Sequence, residues 1–279
     1  MIQRVTQAFR GLRHLDTPSL PASRGIPLAI AKNVNAVCID LDDTLYPQSE
    51  FLQHAWAAVA KRSSELGCDG DKLHRLLTRE SAKGSARGGI IDHAVATLSK
   101  AMVTPSVDTV RLTSELVTAF RAFTPQRLTP YDGVVDALGT LHTQVAVVLI
   151  TDGNPAQQRA KLRACGLARY FDATIFSDDY GRECRKPSDR PFLEALDAVA
   201  AEPANAIMVG DNPSKDILGA TRVGMPSIRV RTGEYRNDAH HPDALPFATV
   251  NSFGDAIREL EGHFRENRVM PRESSDARA

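Results

Sequence analysis

The chain lacks most of the features that tie a protein to one environment. It has only four cysteines, Cys38, Cys68, Cys165 and Cys184, and no Cys-x-x-Cys pair. That speaks against zinc and against a disulfide framework, and favours reduced thiols in a cytosolic protein. No apolar run approaches the ~20 residues that a membrane helix needs, and the first residues have no continuous apolar core of the secretory kind. Charge of one sign is missing too: 34 basic residues balance 34 acidic ones. Overall charge therefore suggests no nucleic-acid partner. What remains is ordinary for a soluble globular protein, with 42% hydrophobic and 24% charged residues, and 279 residues are enough for one large domain or two modest ones.

Residues 1–33 read as an N-terminal extension. Ile2, Val5, Phe9, Leu12 and Leu15 fall at helical spacing, with Arg4, Arg10 and Arg13 between them. This is the pattern of a short helix docked on a surface, and also of an amphipathic transit peptide. The prolines of residues 17–27 mark a linker. At the other end, residues 263–279 are polar without an apolar face and are expected to be disordered.

Between these ends the pattern changes twice. Asn33 to Leu41 is continuously apolar up to its tip, as a central parallel strand should be. From about Glu50 to Thr129 the spacing is helical, with Gly84, Gly88 and Gly89 marking a loop. From Thr129 onward strands and helices alternate. Strands are expected at 144–150, 173–176, 206–210 and 226–230, with helices between them and a last strand and helix in 248–261. The fold class is α/β, a doubly wound parallel sheet.

The first strand ends in Asp40-Leu41-Asp42-Asp43-Thr44. Carboxylates at the tip of a buried strand repel one another and lose hydration, so a divalent cation is one solution; an acidic turn that caps the next helix is another. Three further signals lie at strand ends or turns: Thr151 in Thr151-Asp152-Gly153-Asn154, Lys186 in Arg185-Lys186-Pro187, and Asp211 in Gly210-Asp211-Asn212-Pro213-Ser214-Lys215-Asp216. Thr151 alone reads as a helix cap, Lys186 as a surface lysine and Asp211 as a turn residue. In an open parallel sheet, however, strand C-termini share one crevice, so Asp40, Thr151 and Asp211 should converge. His240-His241 read as a polar loop.

In this order the four motifs closely resemble the haloacid dehalogenase-like hydrolase superfamily, in its phosphatase branch, over roughly residues 34–230. The resemblance implies an α/β core of residues 34–46 and 130–262, with an all-helical cap inserted at 47–129. It also implies a first strand lying beside the strand that ends at Asp211. By the same resemblance Asp40 is the nucleophile and Asp42 the general acid and base. Thr151, Asp152, Gly153 and Lys186 would bind phosphate. Asp40, the Asp42 carbonyl, Asp211 and Asp216 would hold Mg²⁺. A carboxylate two residues after the nucleophile separates phosphate chemistry from the dehalogenase branch. The implied function is Mg²⁺-dependent hydrolysis of a small phosphomonoester (a nucleotide, phosphoglycolate or a sugar phosphate) by a monomer or homodimer, with no membrane partner. A phosphomutase, a dehalogenase and a non-catalytic phosphate-binding module are the rivals. Asp152 is an awkward acid beside a phosphate, and Tyr46 is either a substrate contact or hinge packing.

Overall fold

A computed structural model describes residues 27–100 and 108–264. The expected helix in the extension lies outside these residues, as does nearly all of the polar tail. Six parallel strands form one sheet in the order β3-β2-β1-β4-β5-β6. They are β1 (Ala36–Ile39), β2 (Ala146–Thr151), β3 (Ala173–Phe176), β4 (Ala206–Gly210), β5 (Ser227–Val230) and β6 (Ala248–Val250). β1 is central. Its Ala36 pairs with Ala146 on one side and Ala206 on the other, and its Ile39 with Leu149 and Val209. The reversal of strand order between β1 and β4 makes this a doubly wound sheet, and ligands bind at such a reversal.

The apolar continuity of β1 follows from burial on both faces. Val37 and Ile39 join one core cluster with α5 (Val134–Gln144) and α9 (Phe253–Glu259), while Ala36 and Cys38 join the opposite cluster with α7 (Arg190–Ala198). Strand side chains alternate between faces, so a strand covered on both sides has no polar position to show. All four cysteines are free thiols.

The regular structure described between β1 and α5 is helical: α1 (Gln48–Glu65), α2 (Gly70–Ser81), α3 (Ile90–Lys100) and α4 (Thr109–Ala122), with one short 3₁₀ turn. Asp69 caps α2 by accepting from Lys72 N at 2.8 Å, and Asp108 caps α4 through Val110 N at 3.0 Å. The helices enclose an apolar cluster of their own around Trp56, Leu73, Leu77, Ile91, Leu98 and Leu116. No helix among the described residues is long and apolar enough to cross a membrane.

The sequence predicts a regular helix from Asp216 to Arg222. Instead a π-turn, Pro213–Ile217, precedes a short α8, Leu218–Arg222. Asn212 opens the turn by accepting from Ser214 N and Lys215 N, and its own N–H donates to Asp216 Oδ2 at 3.0 Å. The wider turn brings Asp216 back against the end of β4, where a Cβ on Gly210 would lie 2.5 Å from its carboxylate.

Helices α7 and α8 meet where Gly219 touches Phe192. A Cβ on Gly219 would come within 2.2 Å of the buried ring. Gly219→Ala is therefore expected to destabilise the protein by about 1–3 kcal/mol through overpacking, read from the urea midpoint. An unchanged midpoint would mean that the two helices separate freely.

Candidate active site

The ends of β1, β2 and β4 bring together side chains far apart in sequence. Asp40 follows β1 and ties it to β4 through its N–H to Val209 O at 3.0 Å. The Thr44 hydroxyl lies 3.2 Å from Asp40 Oδ2 and 3.4 Å from Asp211 Oδ1. Lys186 reaches in from the loop before α7. Its ammonium donates to Asp40 Oδ1 at 2.5 Å, Asp216 Oδ1 at 2.7 Å and Ile150 O at 3.1 Å. Asp40, Lys186, Asp211 and Asp216 are all buried.

Burial, unequal pairing and mutual repulsion shape the charges here. Burial raises the Asp40 carboxyl to about 7; Lys186 opposes this, while Asp216 and Asp42 add to it. Burial, reinforced by Asp216 and Asp40, also pushes Asp211 well above the usual carboxylate range. Burial pulls Lys186 down, but Asp216 and Asp40 outweigh it and hold its ammonium charged well above the ordinary lysine range.

These residues suit a hard divalent cation. Asp40, Asp211 and Asp216 each offer an oxygen, all within 4.8 Å of one another, and they are the one such acidic group found among the described residues. Asp211 Oδ2 is buried with no hydrogen-bond partner, a state that is costly unless the oxygen has a ligand. Both Asp216 oxygens already accept protein donors, Lys186 and Asn212 N. His240 and His241 lie apart from this group, and His240 Nδ1 sits 3.3 Å from the buried Arg229 guanidinium.

Sequence reasoning missed what surrounds Asp42. Lys161 donates to both its oxygens, at 2.9 and 3.0 Å, and Gln158 Nε2 donates to Oδ2 at 2.9 Å. The Tyr46 hydroxyl donates to Oδ1. Gln158 also donates to Thr151 Oγ1 at 2.6 Å, so one amide joins two predicted site residues. Burial pushes the Asp42 carboxyl up, but Lys161, Tyr46 and Gln158 outweigh it and hold it below the usual range. Both missed residues sit on α6 (Pro155–Ala164), which begins directly after the Thr151 motif. They lie one helical turn apart, a spacing that puts them on one face but does not by itself mark a site. Tyr46 is fully buried, with its hydroxyl committed to Asp42. Of the two readings of Tyr46 the structure favours packing.

Two of the residues expected at the phosphate line the cavity and have protein partners of their own. Asp152 Oδ1 accepts from Lys186 N at 3.0 Å and Ser177 Oγ at 2.8 Å, and Lys215 Nζ lies 3.3 Å from Oδ2. Its charge is thus neutralised, and it holds the Lys186 main chain. The Gly153 N–H donates to Asp178 Oδ1 at 3.3 Å. Asp43 has a positive φ of 59° and caps α1 through Gln48 N at 2.9 Å. A late loop closes on it: Thr232 Oγ1 donates to Asp43 O, and Glu234 N to Asp43 Oδ2 at 3.1 Å. The same Glu234 carboxylate accepts from Ser85 N of the helical insertion at 3.1 Å.

Above this floor is a cavity of about 730 Å³ between the strand ends and the helical insertion. Asp40, Asp42, Thr151 and Lys186 line its deep end; Trp56, Phe120, Arg87 and Arg121 are among the residues that the helices contribute.

The fold and site define a doubly wound α/β protein with an acidic, lysine-anchored crevice at the switch point of its sheet. Comparison with known proteins agrees. The profile of the haloacid dehalogenase-like hydrolases matches residues 34–224. The glyceraldehyde 3-phosphate phosphatase of Methanopyrus kandleri is 30% identical over 235 residues, which span 81% of this chain and 98% of the relative. The N-acylneuraminate-9-phosphatase of Rattus norvegicus is 27% identical over 203 residues, spanning 69% and 80% of the two chains. Among solved structures, a 2-haloacid dehalogenase from Pseudomonas syringae pv. Tomato DC3000 matches with a TM-score of 0.58 at 26% identity, covering 82% of this chain and 98% of the other. The protein belongs to the haloacid dehalogenase-like hydrolase family.

Two outcomes test the geometry without any assay of turnover. Lys161→Met leaves Asp42 without its cation and should cost about 3 kcal/mol in chemical denaturation, whereas adding Asp42→Asn to that variant should restore much of the loss. A divalent cation that binds at Asp211, present at a hundredfold excess over its dissociation constant, should stabilise the fold by about 2.7 kcal/mol. Calorimetric scanning should show this rise in the unaltered protein and not in Asp211→Asn.

Proposed function

We propose that the protein is a phosphatase of small phosphomonoesters and that Asp40 carries the phosphoryl group between two half-reactions. The observation that carries this reading is the position of Asp40: one oxygen held by Lys186 at 2.5 Å, in the floor of a cavity that Asp42 also lines. The relatives support it, since those named above from Methanopyrus kandleri and Rattus norvegicus are phosphatases. Residues 47–129 act as the cap over the site in this reading.

Asp40, Asp211 and the Asp42 carbonyl would hold Mg²⁺, with Asp216 supporting it through Lys186 and the Asn212 N–H. When bound, the ion would neutralise charge that otherwise keeps a carboxylate from a phosphate dianion. The remaining tasks fall to the protein's own groups. Thr151 donates to the phosphoryl oxygens, and Lys186 offsets the charge on both nucleophile and phosphate. An Asp40 oxygen bonds to phosphorus as the ester oxygen leaves, and Asp42 gives that oxygen a proton. Water then attacks phosphorus, Asp42 takes back a proton, and Asp40 and inorganic phosphate are released.

Lys161 favours the Asp42 carboxylate, the form that the second half-reaction needs. The phosphate dianion beside Asp42 acts the other way and raises its proton affinity for the first. Closure of the cap excludes water other than the attacking molecule.

Asp40→Asn should lower kcat for p-nitrophenyl phosphate by at least about 10³-fold with an unchanged circular dichroism spectrum. Exhaustive chelation should abolish turnover, and added Mg²⁺ should restore it. Turnover at the original rate in either case would reject the corresponding role.

A further inference from the structure

Of the cations that line the cavity, Arg182 has no ion pair to a described residue, and the others divide into two groups. At the deep end each lies close to a carboxylate: Lys186 to Asp40 at 2.5 Å, Arg185 to Asp178 at 2.6 Å, Lys161 to Asp42 at 2.9 Å and Lys215 to Asp152 at 3.3 Å. The arginines that the helical insertion adds to the wall are different. The guanidinium of Arg121, in the last turn of α4, has no ion pair or hydrogen bond to any described residue. Arg87 lies 3.8 Å from Glu80, a carboxylate that already accepts from Lys83 at 2.6 Å. Nearby Asp92 sits in the first turn of α3, where a negative charge complements the helix dipole. The cavity therefore has compensated charge at its floor and guanidinium groups without a strong partner in its outer wall. Its volume of about 730 Å³ far exceeds what a phosphoryl group alone fills.

We infer that the substrate carries a second anionic group, a carboxylate or a second phosphate, on the leaving alcohol, and that Arg121 with Arg87 binds it. This rests on the phosphatase reading and names its substrate class. A guanidinium offers a planar fork of donors that suits both oxyanions, and both arginines are exposed enough to reach a ligand in the cavity. Arg121 and Arg87 act as specificity residues and take no part in the bonds made and broken.

The test compares phosphomonoesters that differ only in the second anion: 3-phosphoglycerate against glycerol 3-phosphate for the carboxylate, and fructose 1,6-bisphosphate against fructose 1-phosphate for the phosphate. Binding to Asp40→Asn with Mg²⁺, by calorimetry, reads the subsite without turnover. Turnover of p-nitrophenyl phosphate by the unaltered protein separately reads the phosphatase assignment. The doubly anionic member of at least one pair should bind about tenfold more tightly and show a lower KM with a similar kcat. Adding Arg121→Gln should cut that preference about tenfold, added salt should weaken it, and Arg121→Lys should keep part of it. Equal binding within both pairs, or a preference that survives the combined Arg87→Gln and Arg121→Gln changes, would overturn the inference even if p-nitrophenyl phosphate is hydrolysed. Which pair responds tells carboxylate from phosphate.

Discussion

The buried ammonium of Lys186 is the interaction on which the site depends. Asp40, Asp211 and Asp216 converge where three strands end, and like charges taken out of water repel strongly. Lys186 bonds to two of these acids and to a carbonyl of β2, so one side chain both compensates charge and joins the loop before α7 to the middle of the sheet. Asp152 holds the main chain of the same lysine. The remaining imbalance is concentrated on Asp211, whose free oxygen has no protein donor. The fold supplies enough positive charge to keep the acids together, but not enough to satisfy them all.

A second compensated acid stands beside the first. Asp42 is surrounded by donors from α6 and by the Tyr46 hydroxyl, and Gln158 links it to Thr151. The side chains proposed for proton transfer and for phosphate binding thus share one amide. The buried amide bonds to both at once, so their orientations are coupled, which favours a single working arrangement.

Much of this was legible in the sequence, for identifiable reasons. β1 announced itself because burial on both faces leaves no polar position, and the acids at its tip stood out against that run. The convergence of Asp40, Thr151 and Asp211 followed from parallel topology alone. Lys161 and Gln158 were not legible, because a lysine and a glutamine on a helix usually face water, and only the packing of α6 across the strand ends buries them. The π-turn before α8 escaped for a similar reason: its cause is the approach of Asp216 to Gly210, a contact between an acid and a strand end that helical periodicity does not encode. Asp152 was legible as an anomaly, and its explanation lay in Lys186 N and Ser177, distant in sequence.

The loop that closes on Asp43 has a consequence for how the chain acquires its form. Asp43 caps α1, yet its own partners are Thr232 and Glu234, and Glu234 also reaches Ser85. As the polypeptide leaves the ribosome, the first strand and the described helices of the insertion emerge well before these partners exist. The helices can form early from local contacts, and contacts such as Glu50 with Thr129 and Gln157 with Phe120 O seat them before one of the last loops to be made completes their orientation over the crevice. A nascent chain cut short before residue 232 would retain its acidic motif and lose the clasp that completes the seating of the helical layer above it.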